Sequence, residues 1–159
     1  MFRKGDSVMV SFDDIKVLLN EYVEQFRRPN LPGLSISEVY SLFPQEEGAI
    51  QVEKQWPDTY PNAQKHGVYV VFGKDLQVLY IGKASMNNTL GSRLSSYFSY
   101  ADDKKTCKVK GQEYWSECPK FIATIAVPDN LSFEAPAIEE YLIQSLGTSL
   151  PDNKAGTGK

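Results

Sequence analysis

Within residues 67–98 lie four side chains that can act on a phosphate group: Tyr69, Tyr80, Lys83 and Arg93. Hydrolysis of a phosphodiester needs a water that is deprotonated and held in line. It also needs the charge on the equatorial oxygens to be offset and the leaving oxygen to be stabilised. Arginine suits the second task, because its fork binds phosphate oxygens in pairs and keeps its charge. A tyrosine or lysine can serve as base, or bond to the phosphate, if its surroundings lower its pKa. A glutamate completes such a set by holding a magnesium ion against the same phosphate, with waters filling the other positions. The later stretch EAPAIEEYLIQSLGTSLPDN supplies carboxylates and an amide.

Helix geometry separates the carboxylates. Glu134, Glu139 and Glu140 all lie in or near a helix expected over 134–146 and ending at Gly147. Ala135, Ile138, Leu142 and Leu146 share one face of it. Glu139 falls inside that apolar arc, on the row Ala135–Glu139–Ile143, while Glu140 lies opposite with Gln144. A carboxylate is seldom set on a buried stripe without a partner. Glu139 is therefore the expected metal ligand, and a salt-bridged edge position is the plainer alternative.

The elements that must position these groups follow from the apolar pattern. Residues 12–26 read as an amphipathic helix, with Phe12, Ile15, Leu19, Tyr22 and Phe26 at helical spacing. Ser11 and Asp14 form a capping box, Arg27 and Arg28 suit the negative end, and Pro29 stops the helix. A shorter helix is expected from about Ile36 to Phe43, closed by Pro44. Residues 44–66, with Pro44, Gly48, Pro57 and Pro61, read as loop pinned by Trp56. Residues 67–72 and 77–82 read as the two strands of a hairpin. If the turn holds an even number of residues, Tyr69 faces Tyr80 or Val78 and both tyrosines point the same way. Residues 87–98 are expected to be helical, with Asn87, Asn88 or Thr89 as cap. Residues 99–118 are polar and irregular and read as an insertion or a mobile loop, and 120–127 as a strand.

These motifs resemble the GIY-YIG nucleases. Gly67-Val68-Tyr69 stands for the first motif and Tyr80-Ile81-Gly82 for the second. Lys83-Ala84, Arg93-Leu94-Ser95-Ser96-Tyr97-Phe98 and Glu134-Ala135 with Ile138-Glu139 are similar to the excision-repair incision branch. Pro151-Asp152-Asn153 stands for the closing segment, although Asn153 follows Pro151 more closely than the pattern asks. Extra residues within 86–91 and the insertion at 99–118 are further departures. The resemblance covers about residues 65–153 and says nothing of 1–64. It implies an α+β fold, a small three-stranded antiparallel sheet flanked by helices. In this chain a helical extension (1–64) would precede the nuclease domain (65–153), and a disordered tail (154–159) would follow it. It also implies a site of Tyr69, Tyr80, Lys83, Arg93, Glu139 and Asn153.

Composition narrows the setting. The net charge of −3 does not favour a nucleic-acid partner, but its distribution does. Residues 65–110 carry eight Lys and Arg against three acids, whereas 1–64 and 111–145 are both net acidic. Lys104, Lys105, Lys108 and Lys110 can track a phosphate backbone or can simply keep a loop soluble. Two cysteines and one His66 supply too few ligands for a structural zinc site. No apolar run suits a membrane span, and the acids that follow Arg3 and Lys4 do not suit a signal peptide, so cytoplasmic residence is expected.

The combined reading is an endonuclease that uses one divalent ion, Mg2+ or Mn2+, held by Glu139. Its expected partner is nucleic acid, DNA rather than RNA. The N-terminal helices offer a surface for a protein partner or for self-association. The alternatives are a non-catalytic GIY-YIG-like module that binds nucleic acid or protein, and a nuclease acting as a toxin or defence effector.

Overall fold

The structure is a computed structural model that describes residues 9–153. The basic pair Arg3–Lys4 and the tail 154–159 lie outside the described residues.

Three strands form the centre: β4 (Gly67–Phe72), β5 (Val78–Ala84) and β8 (Phe121–Ala126), antiparallel in the order β8-β4-β5. Every residue of β4 and β8 is buried, because both sheet faces are covered. Val68, Val70, Phe72, Ala123 and Ile125 face α1 (Phe12–Phe26) and α3 (Glu134–Leu146). Tyr69, Val71 and Ile122 face the other way, toward α2 (Leu90–Ser95) and a two-stranded hairpin, β6 (Phe98–Tyr100) and β7 (Cys107–Val109). The apolar runs in the strands are thus two alternating faces buried at once. Each fully buried Val, Ile or Phe contributes about 1.5–3 kcal/mol.

The sheet is larger than the small antiparallel one the resemblance implied. Three short strands from the N-terminal segment extend it: β1 (Ser35–Ile36), β2 (Tyr40–Ser41) and β3 (Lys54–Gln55). β1 and β2 pair antiparallel with β8, and β3 pairs parallel with β2, so the six-stranded sheet is mixed. The helix expected at 36–43 is therefore absent. Its helical spacing yields to the open edge of β8: Ser37 N–H donates to Thr124 O at 2.9 Å and Leu42 N–H to Lys120 O at 2.9 Å. Satisfying both edges outweighs a weak local preference. Between Ile36 and Lys54 the chain is thus strand and turn, and among the described residues α1 is the single α-helix before the hairpin.

α1 begins as expected, with Ser11 and Asp14 in a reciprocal capping box. Arg27, expected to serve the helix dipole, is instead buried against Glu134. Among the described residues no helix is long and apolar enough to cross a membrane. Cys107 and Cys118 are both free thiols.

Candidate active site

The hairpin sets the tyrosines by an unexpected route. Five residues, 73–77, lie between the paired positions Phe72 and Val78, an odd loop that by itself would turn one tyrosine to the far face. The register shifts between Val71 and Phe72: Val71 pairs with Tyr80 and Phe72 with Val78, so Leu79 is the extra residue of a bulge. The bulge restores the common face. Tyr69 lies opposite Gly82 rather than opposite Tyr80 or Val78, and the Tyr69 and Tyr80 ring centroids are 6.1 Å apart.

That register explains the glycine of the second motif. A Cβ at Gly82 would fall inside the Tyr69 ring, so only glycine lets the phenol lie flat across β5. Gly67 has a similar steric reason, because a Cβ there would run into the backbone carbonyl of Ile125 on β8.

Thr89 caps α2 through a reciprocal bond with Ser92. The helix is shorter than the expected 87–98. It ends at Ser95, and Lys110 N–H donates to Tyr97 O at 2.7 Å, drawing the chain into β6. Leu90 and Leu94 are buried against the sheet, which leaves Arg93 half-buried over the tyrosines. Arg93 Nη2 lies 3.5 Å from the Tyr69 hydroxyl and 3.4 Å from that of Tyr97, and Tyr69 donates to Tyr97 at 3.1 Å. Tyr97 belongs to the stretch 93–98, and its spacing of four from Arg93 is the signal for it in the sequence.

Electrostatics divide the groups. Tyr69 is fully buried, and burial, then the neighbouring Tyr80, push its pKa far above the ordinary phenol value, with Arg93 pulling the other way. Tyr80 is raised as well, first by burial and then by Tyr97. Both phenols are neutral hydrogen-bonding groups at neutral pH. The Arg93 guanidinium is held still more firmly charged, chiefly by the Tyr69 hydroxyl.

Glu139 is half-buried on α3 and lines an open cleft of about 690 Å³ with Tyr80, Lys83, Tyr114 and Asn153. Burial raises its pKa, and the charges of Lys83 and then Arg93 oppose the rise. Its carboxylate makes no hydrogen bond or ion pair among the described residues. Glu140 is exposed, and among the described residues its side chain bonds only with Gln144. Glu134, the third glutamate of the helix, is consumed by Arg27 and Tyr22.

Asn153 has both ends of its amide occupied. Its Oδ1 accepts from Ile81 N–H at 2.7 Å and its Nδ2 donates to Ile81 O at 2.8 Å. It closes the outer edge of β5 between Tyr80 and Gly82, so its part is to hold the strand. Lys83 is exposed at the cleft. His66 makes a local contact, 3.0 Å from Met86 O.

The insertion carries the short hairpin of β6 and β7 and is tied to the N-terminal segment. Trp56 Nε1 donates to Lys105 O at 2.8 Å, and the Trp56 ring stands edge-on to Tyr100 at 5.0 Å. The four lysines separate: Lys110 reaches the tyrosine site, Lys108 lies exposed on β7, and Lys104 and Lys105 line another hollow with Trp56 and Tyr100.

A half-buried arginine bonded to two tyrosine hydroxyls, near a carboxylate with no protein partner among the described residues, can bind and polarise a phosphate. Comparison with known protein families agrees: residues 65–153 match the GIY-YIG catalytic domain. The chain belongs to the GIY-YIG family. It is a nuclease family whose members generally depend on a divalent metal ion. No curated protein and no solved structure matches the chain.

The site suits such an ion in one respect and limits it in another. Among the described residues no group of three or more His, Cys, Asp or Glu side chains could enclose a metal. Glu139 offers one hard oxygen donor without a competing bond among the described residues. That fits an ion such as magnesium, which keeps much of its hydration and takes the rest of its shell from phosphate.

Proposed function

We propose that the protein is an endonuclease that hydrolyses phosphodiester bonds by attack of water, with Glu139 as the ligand of one Mg2+ or Mn2+ ion. The carboxylate of Glu139, half-buried and without a partner among the described residues, in range of the Lys83 and Arg93 charges, is the observation that carries this reading. When bound, the ion offsets charge on the scissile phosphate and makes a water more acidic. Arg93 donates to the phosphate oxygens, its guanidinium aimed by Tyr69 and Tyr97. Tyr69 orients the attacking water rather than deprotonating it, because burial keeps its proton on. Tyr80 supports the phosphate, Lys83 at the cleft mouth assists in positioning the water, and Asn153 holds the strand that carries Tyr80. DNA is the favoured substrate and cytoplasmic residence the favoured setting. The second reading is a module that binds nucleic acid or protein without cutting, and the net charge of −3 favours its protein-binding form. A role in excision repair rests on the motif likeness alone.

The test is cleavage of plasmid DNA and structured RNA with and without magnesium or manganese. Cutting is expected with either ion and is expected to stop with chelator. Arg93→Ala, folded by circular dichroism, is expected to lower turnover about tenfold to a hundredfold, the size of one charge-assisted bond. Cutting undiminished in excess EDTA would remove the metal from the reading.

The basic insertion gives a further measurement. Lys110 borders the tyrosine site, so Lys110→Ala is expected to flatten the plot of log affinity against log salt by about 0.7–0.9. Lys104→Ala with Lys105→Ala is expected to leave that slope unchanged, because both lysines line the other hollow. Equal flattening from both variants would restore the four-lysine track read from the sequence.

A further inference from the structure

Beside the Glu139 cleft, and sharing Tyr80 with it, lies a second opening of about 310 Å³. Its walls include Tyr80, Tyr97, Tyr114, Trp115 and Lys110. Trp115 stands edge-on to Tyr80 and to Tyr97, with centroids 5.8 Å apart in each pair. Tyr114 is 81% exposed, an unusual state for a large ring. Its ring rests on Gly111, where a Cβ would crowd it and where φ is +61°.

This wall is held in place from several sides. Ser116 N–H and Oγ both donate to the Asp152 carboxylate at 3.0 Å, tying it to the segment that carries Asn153. Gln77 Nε2 donates to Glu117 at 2.8 Å, tying it to the hairpin turn. Tyr114 and Asp152 also line the Glu139 cleft, so a strand laid along that cleft passes the Tyr114 ring.

The chemistry of the wall is that of a base-stacking platform. A nucleobase offers a flat π face to Tyr114 and Trp115, and stacking of this kind is tolerant of sequence. Lys110 supplies a cation for an adjacent phosphate. Bases inside an intact duplex already stack on their neighbours and do not present a face. We propose that the insertion at 99–118 seats one unpaired nucleobase beside the phosphate to be cut, so that the preferred substrate is single-stranded or locally unpaired nucleic acid. This rests on the nuclease reading above and names its substrate class.

The experiment measures fluorescence anisotropy with the Glu139→Gln protein at fixed salt. Three labelled probes are compared: a fully paired short DNA duplex, the same duplex with one bulged nucleotide, and the single strand. The bulged and single-stranded probes are expected to bind more tightly than the paired duplex. Tyr114→Ala, added to Glu139→Gln, is expected to weaken those two by about fivefold to a hundredfold while leaving the paired duplex unchanged. Tyr114→Phe is expected to retain the preference, because the ring is kept. Equal binding of paired and unpaired probes, or a Tyr114→Ala loss that is nil or the same on all three, would overturn the stacking proposal. In each of these cases, divalent-dependent cutting by the wild-type protein would leave the nuclease reading standing. Failure to bind any probe, with no cutting by the wild-type protein, would overturn both.

Discussion

Glu139→Gln is expected to lower turnover by at least about a thousandfold, and Glu140→Gln to leave it within about twofold of wild type. The two glutamates are neighbours in sequence, but α3 turns Glu139 toward Lys83 in the cleft, within range of the Arg93 charge, and leaves Glu140 exposed beside Gln144. Glutamine keeps the shape of the side chain and removes the charge that a divalent ion needs. The same variant separates a functional carboxylate from a structural one through its stability. Burial raises the Glu139 pKa in the native state, so the native protein holds that proton more tightly than the unfolded chain. Ionising Glu139 therefore costs stability as pH rises from the unfolded value, about 4.3, through the raised native value. Without metal, Glu139→Gln is expected to be more stable than wild type at neutral pH and equal to it below that unfolded value. Denaturant unfolding at several pH values with EDTA measures the difference. A Glu139→Gln protein that cuts normally, or is less stable at neutral pH, would make Glu139 part of the scaffold.

What the sequence disclosed about this site follows from the range over which each interaction acts. The Ser11–Asp14 box, the span of α3 and the inward phase of Glu139 are local, and periodicity or a cap carries them. Residues 36–43 show the limit of that reasoning. Their spacing suits a helix, yet the unsatisfied edge of β8, some eighty-five residues away, recruits them as strand. The tyrosine geometry was reached by parity, and the odd turn would have defeated it had Leu79 not bulged. No composition cue marks that bulge. Tyr97 carried a signal in its spacing from Arg93, but Trp115 and Tyr114 carried none, because an aromatic pair in a polar insertion becomes part of a site only when the chain returns to it. The polarity of the insertion conceals its anchors at Asp152, Gln77 and Trp56, because all three are side-chain bonds across the fold.

The other large effect lies behind the site. Arg27 and Glu134 form a two-pronged pair, at 2.7 and 3.1 Å, with side chains only 4% and 9% exposed. Tyr22 donates to the same carboxylate at 2.9 Å, and burial together with that bond raises its pKa to about 12. The pair joins the end of α1 to the first turn of α3, the helix that carries Glu139. Removing one partner leaves the other charged, buried and poorly satisfied, at a cost of about 3–5 kcal/mol. Arg27→Met is therefore expected to lower the melting temperature by about 6–20 °C. The double variant Arg27→Met with Glu134→Leu is expected to recover most of that loss, because an apolar pair of similar volume replaces the desolvated ions. Recovery of stability need not restore the phase of α3, so the double variant is expected to cut more slowly than wild type if the pair also fixes where Glu139 points. A single Arg27→Met variant that melts within about 2 °C of wild type would show that the pair is dispensable, and would leave the packing of Ile15 and Leu19 against Ile138 and Leu142 to hold α3 in place.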